Sequence, residues 1–423
     1  MIRTEYPRLG ETLYTGKLPN GLDLLVVPRR GFTKKLAYFV TNYGSIHTDF
    51  SLDGKDFQAP DGVAHYLEHK MFDLPGRDVA EEFAALGAMV NAFTSYDITA
   101  YYFSCTDNFE QCLNLLLEFV STAYFTEESV QKEQGIIGQE IGMNDDDPGT
   151  VVFENLMRGL FDRHPIRVPI LGTAETISRI TPRVLYDCHR AFYTPGNMVL
   201  CVVGDVDPEE IARMAGQALP AEAVSVGQKQ CTWPETMEAS VPLIKEKMEI
   251  SMPTFSMAFK CEAVEDGDDV MHQELIGDLA AEALFGESSE LYLQMYEDGI
   301  IDSSFGGGFE CVDGVSMLLC SGDSTDPEAV RDAIVEGVPR LLEKGISGQT
   351  FARMKRSALG RRVRDLDSFD GTCFRLCAYH FSGFDYFRFP QAYEAVTLEE
   401  ITRFLTRVVT PSRCCLSVVE PLS

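Results

Sequence analysis

The sequence predicts an α+β fold made of two homologous halves, each a mixed or antiparallel sheet packed with helices, which face each other across a cleft. Three observations support this class. Short apolar segments typical of strands alternate with longer segments whose apolar residues recur at helical spacing. The second half of the chain repeats the pattern of the first. Finally, 423 residues with 45% hydrophobic and 24% charged side chains are enough for two domains with separate cores.

The first half is predicted to begin with strands and to continue with a short helix rich in polar side chains. A polar loop precedes this helix, which Asp61 can cap and which ends near Phe72. Further elements follow from apolar periodicity and from Gly, Pro and Asn at the boundaries. The predicted elements are strands at 22–27, 35–45, 89–95, 100–106 and 198–204, and helices at 79–86, 109–122, 126–141, 153–161 and 182–192.

An internal repeat defines the domain organisation. A strand, an aspartate and a long helix at 101–125 have a counterpart at 317–346, and the ungapped alignment places Arg361 opposite Glu140. Residues 219–242 are small, polar and contain Pro and Gly, so they are predicted to link the halves 1–218 and 243–423.

The first half contains the segment His65-Tyr-Leu-Glu-His69, which has the form H-x-x-E-H. Residues four apart share a helix face, so His65 and His69 would present two imidazoles side by side. Glu68 would be close enough to reach a water molecule on a metal held by them. A buried helix with incidental histidines is the alternative, but its three crowded polar groups would need partners. A catalytic zinc, in contrast, needs three protein ligands and an open fourth position.

The helix predicted at 126–141 offers a third ligand. Glu133 and Glu140 are two helical turns apart and therefore share a face. The apolar Gly135-Ile-Ile-Gly138 between them indicates that this helix is buried there. A carboxylate in such surroundings needs a cation or a hydrogen-bond donor, and a zinc ion on the two histidines would supply one.

Charge and hydropathy exclude several classes of partner. The formal net charge is −29, which disfavours nucleic acid because phosphate binding needs clustered Lys and Arg. No run of about 18 apolar residues occurs, so we expect no membrane span. The first 25 residues lack an apolar segment, so we expect no signal peptide.

The twelve cysteines are spread along the chain, and several lie in apolar segments that resemble strands. This pattern favours reduced, buried thiols and a bacterial cytoplasmic protein. Cys373, Cys377 and His380 have the spacing C-x3-C-x2-H, for which one helix face is a better explanation than a second metal because no fourth ligand is near.

Together these features resemble the pitrilysin/insulinase family of zinc peptidases, the inverzincins. In length and two-half plan the chain is most similar to the branch that contains the mitochondrial processing peptidase and related bacterial subunits. The resemblance covers nearly the whole chain. Besides H-x-x-E-H, the matching segments are Asn91-Ala-Phe-Thr94, Glu133 with Glu140, His164-Pro165, Pro169-Ile-Leu-Gly-Thr173, Tyr193-x-Pro-x-Asn-Met198 and Val202-Val-Gly-Asp205.

The resemblance implies a role for each matching residue. Zinc would be held by His65, His69 and Glu140, and Glu68 would be the general base. Glu133 would orient the site from behind the ligands. Two further matches at the start of a strand, Asn91 and Ala92, would hold the substrate backbone.

The chain departs from the family pattern in its second half. Active relatives supply an Arg and a Tyr seven apart, whereas Tyr296 and Ser303 stand at the matching positions here. The predicted function is a zinc endopeptidase for extended or unstructured peptides, acting as a homo- or heterodimer with a homologous subunit. The alternative is a binding or scaffold subunit that needs a homologous partner chain for activity.

Overall fold

The computed structural model describes residues 1–230, 232–264, 267–312 and 314–422. Within these ranges the chain alternates between strands and helices as predicted. The strands before the middle of the chain are β1 (Ile2–Tyr6), β2 (Glu11–Lys17), β3 (Asp23–Pro28), β4 (Lys35–Thr41), β5 (Asp49–Leu52), β6 (Lys55–Gln58), β7 (Asp73–Leu74), β8 (Arg77–Asp78), β9 (Met89–Thr94), β10 (Thr99–Cys105), β11 (Met198–Gly204) and β12 (Gln228–Lys229). The helices of the same part are α1 (Val63–Met71), α2 (Val79–Ala85), α3 (Phe109–Ser121), α4 (Glu127–Asp145), α5 (Pro148–Leu160), α6 (Ala174–Ile177), α7 (Pro182–Phe192) and α8 (Pro208–Ala218).

The remainder of the chain contains fewer strands and longer helices. Its strands are β13 (Leu243–Met248), β14 (Thr254–Cys261), β15 (Gly306–Val312), β16 (Val315–Asp323) and β17 (Cys414–Pro421). Its helices are α9 (Gly267–Phe285), α10 (Glu290–Glu297), α11 (Pro327–Lys344), α12 (Gly348–Asp365), α13 (Phe369–Phe381), α14 (Phe389–Ala395) and α15 (Leu398–Val408). Single 3-10 turns occur at Pro165–Arg167, Pro195–Asn197, Tyr386–Arg388 and Pro411–Arg413.

The first compact unit is built on a seven-stranded sheet with the order β1-β2-β3-β11-β4-β10-β9. β11 is parallel to β3 and antiparallel to β4, and it is buried along its whole length because it is a continuous apolar segment between two neighbours. The apolar face of α3 packs on this sheet and contributes Leu113, Leu116 and Val120 to the core. β9 lies at the edge of the sheet.

The second compact unit repeats this topology. Its five strands follow the order β13-β17-β14-β16-β15, in which β17 is parallel to β13 and antiparallel to β14. This matches β3-β11-β4-β10-β9 strand for strand. The predicted class, α+β with two homologous halves, is therefore confirmed.

The compact units do not follow the chain sequentially. The first unit comprises Met1–Ile141, Pro169–Cys231 and Val363–Arg388, and the second comprises Gly142–Val168, Thr232–Arg362 and Phe389–Ser423. Within the first unit α13 packs on β11 and β4, and within the second α5 packs on β14 and β17. Each sheet thus obtains a helix from a distant part of the sequence to cover an apolar face.

The division at 1–218, 219–242 and 243–423 remains a prediction about the sequence halves. One residue of the predicted linker, Cys231, lies outside the described residues. In the described part of the chain, none of the helices combines the length and the apolar character needed to cross a bilayer.

Candidate active site

The helix that carries H-x-x-E-H begins at a glycine rather than at a capping side chain. Gly62 is the N-cap of α1 and has φ 88°, in the left-handed region, with no side-chain hydrogen bond to the helix. A Cβ at Gly62 would lie 2.3 Å from the carbonyl oxygen of Leu171. The prediction that Asp61 caps this helix is therefore wrong. The close approach of a neighbouring loop fixes the start of α1 and selects glycine there.

α1 is buried on nearly every side, and it is attached to α4 by a specific contact. The hydroxyl of Tyr66 donates a hydrogen bond to the carbonyl oxygen of Val130 on α4. Because His65 and His69 share one face of α1, this docking turns both imidazoles toward the carboxylates of α4.

His65, His69 and Glu140 form one compact group of donor atoms. The Nε2 atom of His65 lies 3.7 Å from Oε1 of Glu140, and the Nε2 atom of His69 lies 3.6 Å from Oε2 of the same carboxylate. The donor atoms of the three residues all lie within 4.8 Å of one another. Among the described residues no other group of three His, Cys, Asp or Glu side chains is this close, Cys373, Cys377 and His380 included.

The donor set fits zinc. Two imidazole nitrogens and one carboxylate oxygen are usual ligands of a catalytic zinc, which binds them at about 2.0–2.2 Å. Ligand atoms that share a tetrahedral ion at this distance are about 3.4 Å apart, close to the observed separations. His65 is ready to act as a neutral ligand because burial, helped by nearby His69, lowers its pKa to about 3.

Glu133 lies next to the group formed by His65, His69 and Glu140, and it contacts His69 on the side away from Glu140. Its Oε1 is 3.0 Å from Nδ1 of His69, and its Oε2 is 3.8 Å from Nζ of Lys70. Burial opposes the charge of Glu133, but the hydrogen bond to His69 and the positive charge of Lys70 outweigh it and lower the pKa of Glu133. Burial likewise opposes protonation of His69, yet the Glu133 hydrogen bond and the surrounding carboxylates raise the His69 pKa.

Glu68 is buried, with 8% of its surface exposed, and it accepts a hydrogen bond from the strand beside it. The hydroxyl of Thr94 on β9 lies 2.7 Å from Oε2 of Glu68. Burial raises the pKa of Glu68 and nearby Glu140 adds to this, while the Thr94 hydrogen bond and the charge of His69 act in the opposite direction. A carboxyl group whose pKa is raised in this way is a stronger base than an exposed glutamate and can serve in proton transfer.

Asn91 and Ala92 lie on β9, the edge strand that also carries Thr94. The backbone N–H of Ser95 donates to the carbonyl oxygen of Ile98 at 2.8 Å, and the register continues with Thr94 opposite Thr99 and Ala92 opposite Tyr101. Because hydrogen-bonded and non-hydrogen-bonded pairs alternate, the backbone groups of Ala92 and Thr94 point away from β10, toward the free edge.

The side chain of Asn91 forms a hydrogen bond with one of these backbone groups. Its Oδ1 accepts a hydrogen bond of 2.9 Å from the backbone N–H of Ala92. The amide of Asn91 therefore already covers the position at which a further strand would pair.

Tyr296 and Ser303 belong to the second compact unit. Tyr296 is on α10, is 53% exposed and stacks on Tyr292, while Ser303 lies in the turn before β15. In contrast, the three residues of the candidate metal group all belong to the first unit.

The second unit has charged side chains at the corresponding place. Glu274 and Asp278 are four apart on α9, as the histidines are on α1, and both contact the guanidinium of Arg362 on α12. Arg361, the residue aligned with Glu140, contacts Glu282 instead. The buried Arg362, which contacts two carboxylates, therefore joins α12 to α9.

Two contributors to the site were not assigned a role from the sequence. Lys70 directly follows the second histidine and is 1% exposed. A lysine on the buried face of a short helix is the feature of the sequence that could have pointed to it. Thr94 was part of the matched segment, but only the register of β9 shows that its side chain reaches Glu68.

Comparison with known proteins gives a consistent result along the chain. The sequence model described as "Insulinase (Peptidase family M16)" matches residues 55–174, and "Peptidase M16 inactive domain" matches residues 179–358. An uncharacterized zinc protease of Bacillus subtilis, YmfH, is 36% identical over 425 residues, which covers 99% of both chains. A second uncharacterized zinc protease of that organism, YmxG, is 26% identical over 73% of this chain and 75% of its own.

Solved structures extend the likeness to the fold. A putative M16-like peptidase from Alicyclobacillus acidocaldarius has a TM-score of 0.92 at 30% identity and covers 99% of this chain and 100% of its own. Pitrilysin has a TM-score of 0.77 at 19% identity, over 97% of this chain and 45% of its own, and shows the fold alone. The resemblance predicted from the sequence is confirmed: the chain belongs to the insulinase family, peptidase family M16.

Proposed function

We propose that this chain is a zinc-dependent endopeptidase that hydrolyses extended or unstructured peptides. The observation that carries the proposal is the position of the Glu68 carboxylate. It is buried beside the donor group His65, His69 and Glu140, and it is hydrogen-bonded to the edge strand β9.

The ligand residues support this chemistry through their charge and orientation. Two neutral imidazoles and one carboxylate leave a bound zinc with a net positive charge. When bound, zinc supplies a Lewis acid for the peptide carbonyl and lowers the pKa of a water molecule toward about 7. Glu133 holds Nδ1 of His69 and thereby directs Nε2 toward Glu140.

Glu68 moves the proton in the proposed reaction. Its carboxylate takes a proton from the attacking water and later delivers it to the nitrogen of the leaving amine. The burial that raises the Glu68 pKa makes its carboxylate a stronger base for the first step, and the Thr94 hydrogen bond, which opposes this rise, favours release of the proton in the second.

An extended peptide is the substrate that the edge strand favours. The backbone groups of Ala92 and Thr94 that point away from β10 can pair with the backbone of one added strand, once Asn91 releases the N–H of Ala92. Backbone pairing does not depend on side-chain identity, and a folded segment already uses its backbone groups internally. Unstructured peptides are therefore the preferred class.

We place this activity in the bacterial cytoplasm. Ten buried cysteines are free in the described part of the chain. Unpaired thiols in this number suit a reducing compartment. The structurally similar protease PqqL of Escherichia coli is periplasmic, so fractionation of the native host tests this assignment directly.

The substitution Glu68→Gln tests the peptidase. It should keep zinc at the wild-type stoichiometry and reduce kcat on an unstructured peptide library by about 100- to 10,000-fold. Glu81→Gln, an exposed change on α2, is the matched control and should cleave like the wild type. Wild-type cleavage by the Glu68 variant would reject the assigned mechanism.

A second candidate function is a binding subunit that acts only with a homologous partner chain. It is favoured by Tyr296 and Ser303, which replace the Arg and Tyr of active relatives. In that case the isolated chain would bind stoichiometric zinc without cleaving peptides, and a related subunit would restore cleavage. Full activity of a verified monomer would exclude this function.

A further inference from the structure

We propose that Thr94 is a positioning residue that holds the Glu68 carboxylate for the reaction and couples its orientation to strand addition at β9. This inference rests on the proposed function, because it concerns the same site. It adds a role for a residue that acts through Glu68.

The hydrogen bond that carries the inference is short and specific. Oγ1 of Thr94 lies 2.7 Å from Oε2 of Glu68. Within the described residues, this hydroxyl is the one hydrogen-bond donor found on the Glu68 carboxylate. A buried carboxylate with a single donor depends on that donor for its orientation, since each lost hydrogen bond to a charged buried group is costly.

The neighbouring hydroxyl does not compete for this role. Thr99, opposite Thr94 on β10, donates its hydroxyl to the carbonyl oxygen of Tyr43 at 2.9 Å and lies 3.5 Å from Oγ1 of Thr94. The hydroxyl hydrogen of Thr94 is therefore free to point at Glu68. The hydroxyl of Thr99 is thus bonded to the backbone of Tyr43, and the hydroxyl of Thr94 is bonded to Glu68.

The backbone of Thr94 connects the hydrogen bond to Glu68 with the edge at which a peptide would bind. Its N–H and C=O point to the free edge of β9, where an extended peptide would pair. The same residue thus faces the added strand with its backbone and Glu68 with its side chain. A peptide bound along β9 would pair with the backbone of Thr94, whose side chain holds the carboxylate that must take the proton.

Two substitutions separate the hydroxyl from the shape of the side chain. Thr94→Val keeps the branched shape and removes the donor, whereas Thr94→Ser keeps the donor. We expect Thr94→Val to lower kcat by about 10- to 100-fold, with KM and zinc stoichiometry near the wild-type values. Thr94→Ser should retain kcat within about threefold. Equal kcat for the Val variant and the wild type would overturn the proposal.

Crystal structures of the two variants supply a readout that does not depend on activity. Glu68 should leave its position in Thr94→Val and keep it in Thr94→Ser. An unmoved Glu68 in the Val variant would overturn the positioning role even if kcat fell. If the wild type cleaves no peptide, the proposed peptidase fails, and the crystal structures alone decide whether Thr94 holds Glu68.

Discussion

Nδ1 of His69 lies 3.0 Å from Oε1 of Glu133, seven residues before Glu140 on the same helix. The Glu133 carboxylate can accept the hydrogen of Nδ1, and this contact leaves Nε2 on the side of Glu140, 3.6 Å from Oε2. The helix α4 thus supplies both Glu140 of the candidate metal group and the residue that orients His69.

The first prediction concerns Glu133→Gln. The amide is close in size but carries no negative charge, so it orients His69 less strongly and leaves Asp73 as the carboxylate paired with Lys70. We expect zinc affinity to fall about 10- to 100-fold, measured by competition with a chromophoric chelator. Glu127→Gln, an exposed change in the first turn of the same helix, should bind zinc like the wild type. Equal affinity for both variants would remove Glu133 from the site.

The second prediction concerns the start of α1. Gly62→Ala must adopt a left-handed φ and place its Cβ against the Leu171 carbonyl, whereas Gly54→Ala has a similar φ of 73° and open space around its Cβ. Both variants have the cost of the left-handed backbone, about 1–2 kcal/mol. The contact with Leu171 should cost Gly62→Ala about 1–3 kcal/mol more, measured by urea denaturation. Its zinc affinity should also fall because α1 shifts, and identical losses for the two variants would contradict this account.

The sequence could predict which side chains come together in the candidate metal group because helix geometry is local. Four residues of spacing place His65 above His69, and seven place Glu133 in line with Glu140, whatever surrounds them. The same local reasoning predicts Asp61 as the cap of α1. This prediction is wrong because Leu171, which is distant in sequence, occupies the space beside residue 62. Tertiary contact decided that position.

The exchange of segments between the compact units shows the same limit. Periodicity predicts α13 as a helix, but not that Cys373 and Cys377 face β11 of the first unit. The apolar faces that need covering are visible in the sequence, whereas the choice of covering helix depends on packing over long chain separations. The role of Thr94 required the strand register for the same reason.

The third prediction concerns the arginine that joins α9 and α12 in the second unit. Arg362 is 7% exposed and contacts both Glu274 and Asp278. Arg362→Met leaves two partly buried carboxylates without this counter-charge and should lower the free energy of unfolding by about 3 kcal/mol. Arg361→Met removes an exposed pair with Glu282 and should cost about 1 kcal/mol or less. Equal losses would show that Arg362 has no special role in the unit.

The last prediction concerns the pH dependence of stability through His189 on α7. Burial lowers the pKa of His189 to about 4, although its Nε2 lies 3.3 Å from the carbonyl oxygen of Val120, which favours the charged form. The unfolded chain takes up a proton on this imidazole near pH 6.5, and the folded protein does not until about pH 4. The stability that the neutral His189 side chain contributes is therefore fully present above pH 6.5, and it is lost as the pH falls from 6.5 to about 4. The loss in the free energy of unfolding is at most about 3 kcal/mol, because the ring keeps some contact with solvent.

His189→Gln removes this titration while an amide can still donate to Val120. Urea denaturation from pH 7 to pH 4.5, with a chelator present to keep zinc out of the equilibrium, should show a shallower loss of stability than in the wild type. The two curves should converge toward acid pH, since the wild type alone binds an additional proton on unfolding. Parallel curves would mean that His189 has the same pKa in both states, and that the stacking of its ring on Tyr193 does not exclude the charged form.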